Sequence, residues 1–100
     1  MWKLVRDRIP SILDREGVRY RLRKVESEDE YREYLLKKLR EEVEEFAENP
    51  SEEELADILE VIDAMVVAYG FDWERIGEVK EKKLVKRGGF REGVLVEILG

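Results

Sequence analysis

Hydrophobic and polar positions follow the period of an α-helix over the middle of the chain. Apolar side chains recur every three or four residues between 27 and 48, and again over 52–69, which reads EEELADILEVIDAMVVAY. Each segment opens with S-x-x-E, the capping box that starts a helix, at 27–30 and 51–54. Because only a short link containing Pro50 separates them, we predict two antiparallel neighbouring helices.

The remaining segments predict shorter elements. Residues 6–16 predict a helix that ends at Gly17, and residues 73–87 predict a helix that Asp72 caps and two glycines end. Residues 18–25, VRYRLRKV, alternate with period two, and residues 93–99, GVLVEIL, are β-prone, so we expect them to pair. The predicted fold is mainly α, an antiparallel helical bundle with a minor two-stranded sheet from 18–25 and 93–99, in a single domain over residues 1–100.

The segment 52–69 is apolar nearly all the way round from Leu55 onward, which indicates burial on several sides. A chain of 100 residues offers few other helices to cover it, and it buries only about two-thirds of its unfolded surface. We therefore expect a homo-oligomer, a dimer or a tetramer. Glu60 and Asp63 on this helix need partners that the sequence does not identify.

Composition restricts the chemistry. The chain has no cysteine and no histidine, which excludes a thiol nucleophile, a thiolate zinc site and the commonest general base. Any metal would be a hard cation with oxygen ligands. No apolar run approaches the roughly 18 residues of a membrane span, and the start lacks a signal peptide, so we expect a cytoplasmic protein without membrane contact. A charged fraction of 44% suits a thermophilic source.

Charge is unevenly distributed. Residues 1–24 hold eight basic and three acidic side chains, whereas residues 25–60 hold four basic and fifteen acidic ones. This acidic centre argues against a stable nucleic-acid complex, and it suits a cation and a polyanion held side by side. The arginines of 18–25 favour an exposed strand edge over nucleic-acid contact.

Helical spacing indicates which acids of the central segment lie on the same helix face. Glu42 lies within the apolar stripe of its helix and Glu45 follows one turn later, while Glu54 and Asp57 form a similar pair on the next helix. The short link sets the two pairs opposite each other, and a divalent cation would relieve the repulsion between them. The same spacing also fits surface acids that pair with nearby basic residues, which are Lys37, Lys38 and Arg40.

Three stretches, KLREEVEEF, EELADILEVIDA and KEKKLVKRGGF, together resemble the all-α NTP pyrophosphatase superfamily of MazG-like proteins, which includes phosphoribosyl-ATP pyrophosphohydrolases. The family pattern E-E-x-x-E followed by E-x-x-D is present at 41–45 and 54–57, and KLVRDRIP and KRGGF resemble a compact subgroup. One departure is that eight residues separate the two motifs, fewer than is usual in the family. We expect the shorter link to leave the ligand set intact but to alter pocket depth and substrate choice.

The resemblance implies a hydrolase that uses Mg²⁺, or Mn²⁺, to cut a nucleoside triphosphate into a monophosphate and pyrophosphate. The implied metal ligands are Glu42, Glu45, Glu54 and Asp57. With no histidine present, Glu41 or Glu45 would orient or deprotonate the attacking water. We expect house-cleaning of noncanonical nucleotides; the alternatives are phosphoribosyl-ATP hydrolysis in histidine biosynthesis and a non-catalytic helical interaction module.

Two basic sets are candidates for binding the triphosphate. Lys83 and Arg87 match basic positions of the family, and a second set lies near the start of the chain at Lys3, Arg6 and Arg8. Each set has a structural alternative. The first would offset a helix dipole, and the second would be surface charge or would form ion pairs with the acidic helices.

Overall fold

The computed structural model describes residues 1–100 and is mainly helical, which confirms the mainly α part of the predicted fold. Four helices follow in chain order: α1 (Ile9–Arg15), α2 (Glu28–Glu48), α3 (Glu52–Ala68) and α4 (Trp73–Arg87). The chain forms two compact units, Met1–Gly70 and Phe71–Gly100. A single domain over residues 1–100 stays a prediction. None of the helices combines the length and the apolar character that a membrane crossing requires.

Side-chain caps start α2 and α3 where the sequence predicts them. The Ser27 hydroxyl oxygen accepts a hydrogen bond from the Glu30 amide at 3.0 Å, and Ser51 does the same for Glu54 at 3.2 Å. Each bond satisfies one of the amides that a helix start leaves without a partner. The two caps therefore fix where α2 and α3 begin, and with that the helix face on which each acid lies.

The core of the first unit lies between α2 and α3, where Leu35, Val61 and Val66 are buried. At the open end of the hairpin, Arg32 near the start of α2 donates two hydrogen bonds, of 3.1 and 3.0 Å, to the Ala68 carbonyl at the end of α3. The guanidinium also lies over the ring of Tyr69, 4.9 Å from its centroid. The start of one helix thus meets the end of the other, as an antiparallel pair requires.

The N-terminal segment adds one short helix and two long-range ion pairs. α1 covers Ile9–Arg15, shorter than the predicted 6–16, because its first turn begins next to Pro10, which cannot donate a backbone hydrogen bond. Before α1, Lys3 pairs with Glu41 of α2 and Arg6 pairs with Asp57 of α3. These pairs place the start of the chain over the acidic end of the hairpin.

The predicted two-stranded sheet is wrong, since neither 18–25 nor 93–99 forms a strand. Arg21 and Arg23 instead place their guanidinium groups over the Trp2 ring, 5.4 and 5.3 Å from its centroid. The alternating pattern therefore places Arg21 and Arg23 on one side of this segment, where both make cation–π contacts with Trp2. A lone pair of strands is marginal in water, and the apolar side chains of 94–99 are largely exposed.

In the second unit, α4 has the bounds that the sequence predicts. Asp72 accepts a hydrogen bond from the Glu74 amide at 3.0 Å and caps the helix. The helix ends at Gly88, whose φ of +79° lies in a region that favours glycine. Its last turn carries Lys86 and Arg87, which offset the helix dipole.

Candidate metal centre

Three of the four predicted metal ligands meet at the linked end of the hairpin. Glu42 comes from α2, and Glu54 and Asp57 come from the first two turns of α3. One carboxylate oxygen of each lies within 4.8 Å of the other two. The capping bond of Ser51 helps to place Glu54, since Glu54 supplies both the capped amide and the carboxylate. The short link and the helical period therefore bring together acids that are up to fifteen positions apart.

Burial distinguishes this cluster from an ordinary acidic surface. Glu42 is 5% exposed and is the one buried polar residue of the chain. Its Oε2 atom and the Oε2 atom of Glu54 are both buried, and neither accepts a hydrogen bond. The nearest cation to Glu42 is Lys38, whose Nζ lies 3.3 Å from the other carboxylate oxygen, Oε1. A buried carboxylate oxygen without a partner is costly, which points to a ligand that these atoms would bind.

The environment of Glu42 disfavours its charged form. Burial raises the pKa of the Glu42 carboxyl above its ordinary value of 4.5, and the neighbouring Glu45 carboxylate raises it as well, while Lys38 opposes both effects. A hard divalent cation would favour the charged form of Glu42 instead, because it binds the ionised carboxylate. The donor set of three carboxylates suits Mg²⁺ or Mn²⁺, so the residues present fit the predicted metal.

The raised pKa leads to a testable prediction about the metal-free protein. Between pH 4.5 and the higher folded-state pKa of Glu42, the folded protein binds more protons than the unfolded chain, so stability falls as pH rises. Glu42→Gln is expected to remove this decline and to stabilise the metal-free protein at neutral pH by about 1–2 kcal/mol. Urea denaturation in the presence of a chelator, over about pH 4–8, measures the free energy of unfolding of both proteins.

The exposed residue Glu44 provides the matched control, because Glu44→Gln removes one negative charge from the same helix outside the cluster. This variant should change the stability by no more than about 0.5 kcal/mol. A loss of stability in Glu42→Gln without metal would show instead that the carboxylate supports the fold through its pair with Lys38.

Basic side chains surround the carboxylates. Lys3 Nζ lies 2.6 Å from Glu41 Oε1, and Lys38 Nζ lies 3.7 Å from the same atom. The hydrogen bond from Lys3 lowers the pKa of Glu41 and raises that of Lys3. On the other helix, Arg6 Nη2 lies 2.6 Å from Asp57 Oδ1. Ion pairs with the acidic helices, the structural alternative for the N-terminal basic set, are therefore present for two of its three members.

A cleft of about 440 Å³ opens beside these groups. Its volume lies within the range of small-molecule sites. The lining contains two of the candidate ligands, Glu42 and Asp57, together with the basic residues Arg6, Arg8 and Lys38. Acidic and basic side chains thus line the same cleft, as a site for a metal and a polyanion requires.

Other predicted site residues lie outside the group of three. Glu45 is half-buried and acts on the pKa of Glu42, but it is not among the three grouped carboxylates. Lys83 and Arg87 are exposed on α4, in the second unit, and their phosphate contacts stay predictions. Of the two unassigned acids, Glu60 lines the cleft, whereas Asp63 is exposed on α3.

Sequence reasoning named Lys38 as an ion-pair partner of the acids in its structural alternative, but it did not assign Lys38 to the site. The structure places its half-buried ammonium between Glu41 and Glu42. The signal was present in the spacing, because Lys38 precedes these acids by three and four positions and so shares their helix face. Tyr31, two turns earlier on α2, also lines the cleft and was not predicted.

Compared with protein-family models, curated proteins and solved structures, this chain matches none. Membership of the MazG-like superfamily therefore stays a prediction from the sequence motifs. The functional argument depends on the geometry of the carboxylates and on those motifs.

Proposed function

We propose that this protein is a Mg²⁺-dependent nucleotide pyrophosphohydrolase that cleaves a nucleoside triphosphate between its α- and β-phosphates. One observation carries the proposal: the buried Glu42 has a carboxylate oxygen without a partner, beside Glu54 and Asp57. The same carboxylates would also bind Mn²⁺. The motif resemblance adds the reaction type, and it favours noncanonical nucleotides as substrates.

The residues of the centre have separate roles in this proposal. Glu42, Glu54 and Asp57 hold the cation, which when bound supplies charge stabilisation at the phosphates and a more acidic water. Glu45 would orient the attacking water or accept its proton. The hydrogen bond from Lys3 lowers the pKa of Glu41 and hence its proton affinity, which makes Glu41 a weak base.

The basic residues of the cleft would bind the triphosphate. Arg6 and Arg8 line the same cavity as Glu42 and Asp57, whereas Lys3 is outside that lining and pairs with Glu41. Guanidinium groups suit phosphate oxygens because they donate two parallel hydrogen bonds. The motif resemblance also implies phosphate contacts for Lys83 and Arg87, which lie in the second unit.

A nucleotide panel tests the proposed function. The purified protein is incubated with canonical and noncanonical triphosphates and with phosphoribosyl-ATP, in Mg²⁺ or Mn²⁺, and the products are separated into pyrophosphate and orthophosphate. We expect pyrophosphate and a monophosphate. Orthophosphate would contradict α–β cleavage, and selective turnover of phosphoribosyl-ATP would favour the biosynthetic alternative. No turnover of any nucleotide would favour the non-catalytic interaction module.

We also propose that the outer face of α3 is a subunit interface. Leu55, Leu59 and Val67 leave 47%, 59% and 80% of their surface exposed on a helix that is rich in apolar residues. Sedimentation equilibrium should find a dimer or tetramer of the wild type at micromolar concentration and a monomer of Leu59→Glu. Val85→Glu on α4, at a position 79% exposed, is the control. A monomeric wild type would contradict this interface.

A further inference from the structure

Arg6 connects the N-terminal segment directly to the carboxylate centre. Its Nη2 atom donates a 2.6 Å hydrogen bond to Asp57 Oδ1, across 51 positions of sequence. Both side chains are partly exposed, Arg6 by 55% and Asp57 by 38%. The guanidinium therefore reaches Asp57 from the solvent side and can leave without opening the core.

A cation bound to Asp57 would compete with this contact. Asp57 belongs to the group of three carboxylates that would hold a cation, and Oδ1 already accepts a charge-assisted hydrogen bond. A divalent ion bound to Asp57 would repel the Arg6 guanidinium, which lies 2.6 Å from Asp57 Oδ1. Lys38 is placed differently, since it is only 19% exposed and has a second acid, Glu41, to pair with. Arg6 is thus the cation that metal binding would displace.

The displaced Arg6 guanidinium would find other anionic partners in the same cleft. Arg6 lines the cavity that contains Glu42 and Asp57, so a polyphosphate held there would offer its oxygens to the freed guanidinium. Building on the proposed function, we infer that Arg6 is an exchangeable cation, which pairs with Asp57 in the metal-free protein and transfers to the substrate phosphates once the metal is bound. Binding is then ordered, with the metal first and the nucleotide second.

Two binding measurements on Arg6→Ala test this exchange, because they must change in opposite directions. Removing the competitor should tighten Mn²⁺ binding about 2- to 5-fold, the range expected for a partly exposed ion pair. The Mg²⁺-saturated variant should bind the Mg²⁺ complex of an α,β-methylene nucleoside triphosphate at least about tenfold more weakly. Calorimetric titration gives both dissociation constants without any turnover.

Arg15→Ala, in the last turn of α1, is the control and should change neither constant. Arg6→Lys should retain wild-type Mn²⁺ affinity but lose part of the nucleotide affinity, because an ammonium cannot donate two parallel hydrogen bonds. Weaker or unchanged Mn²⁺ binding in Arg6→Ala would overturn the exchange, and so would unchanged nucleotide affinity. Absence of Mn²⁺ binding in the wild type would instead overturn the proposed function itself.

Discussion

Glu42→Gln is expected to abolish Mg²⁺-dependent pyrophosphate release while the helices stay folded. The substitution keeps the shape of a buried side chain but removes the negative charge of a carboxylate that has one oxygen without a partner in the structure. A bound metal contributes several kcal/mol to phosphoryl chemistry, and each 1.36 kcal/mol is tenfold in rate. The rate should therefore fall by about 100-fold or more, measured as pyrophosphate released at saturating Mg²⁺.

Two comparisons make this result specific. Glu44→Gln, an exposed substitution two positions away, should keep nearly full activity. Circular dichroism should show that Glu42→Gln retains its helices, since we expect this variant to be more stable than the wild type without metal. An active Glu42→Gln enzyme would exclude Glu42 as a metal ligand.

Mg²⁺ is expected to raise the melting temperature of the wild type. A ligand that binds only the folded state stabilises it by mass action, which gives about 1.4 kcal/mol at ten times the dissociation constant. For a chain of 100 residues this corresponds to about 6–11 °C. Thermal scans over a Mg²⁺ series with a chelator as the reference would show the shift.

Mg²⁺ should narrow the difference in melting temperature between Glu42→Gln and the wild type. Without metal, Glu42→Gln should melt above the wild type because it removes a buried charge. With Mg²⁺, the wild type should gain stability and Glu42→Gln and Asp57→Asn should gain little. Equal shifts in all three proteins would indicate general binding to the acidic surface and would contradict a site at these residues.

Local signals made the helical hairpin predictable. The serine caps at 27 and 51 and the glycine stop at 88 act within a few residues, and all three lie where the pattern places them. The facing of Glu42 with Glu54 and Asp57 also follows from local geometry, since it needs only a helical period and a short link. These parts of the site could therefore be derived from the residues.

Other features depend on tertiary contacts that the pattern does not encode. The alternation of 18–25 is equally compatible with a strand and with arginines stacked on a ring, and the choice depends on where Trp2 lies. The pairing of Arg6 with Asp57 joins segments 51 positions apart, so spacing could suggest the charges but not the partner. Glu45 has the helical phase of a ligand, yet it lies outside the group of three carboxylates.

A crystal structure of the protein grown with Mn²⁺ tests the central claim most directly, because anomalous scattering locates the ion without reference to activity. We predict one strong anomalous peak within coordinating distance of Glu42, Glu54 and Asp57. The guanidinium of Arg6 should have moved away from Asp57 in the same map. Crystals with Mn²⁺ bound elsewhere, and none between these three carboxylates, would contradict the metal centre and the function proposed from it.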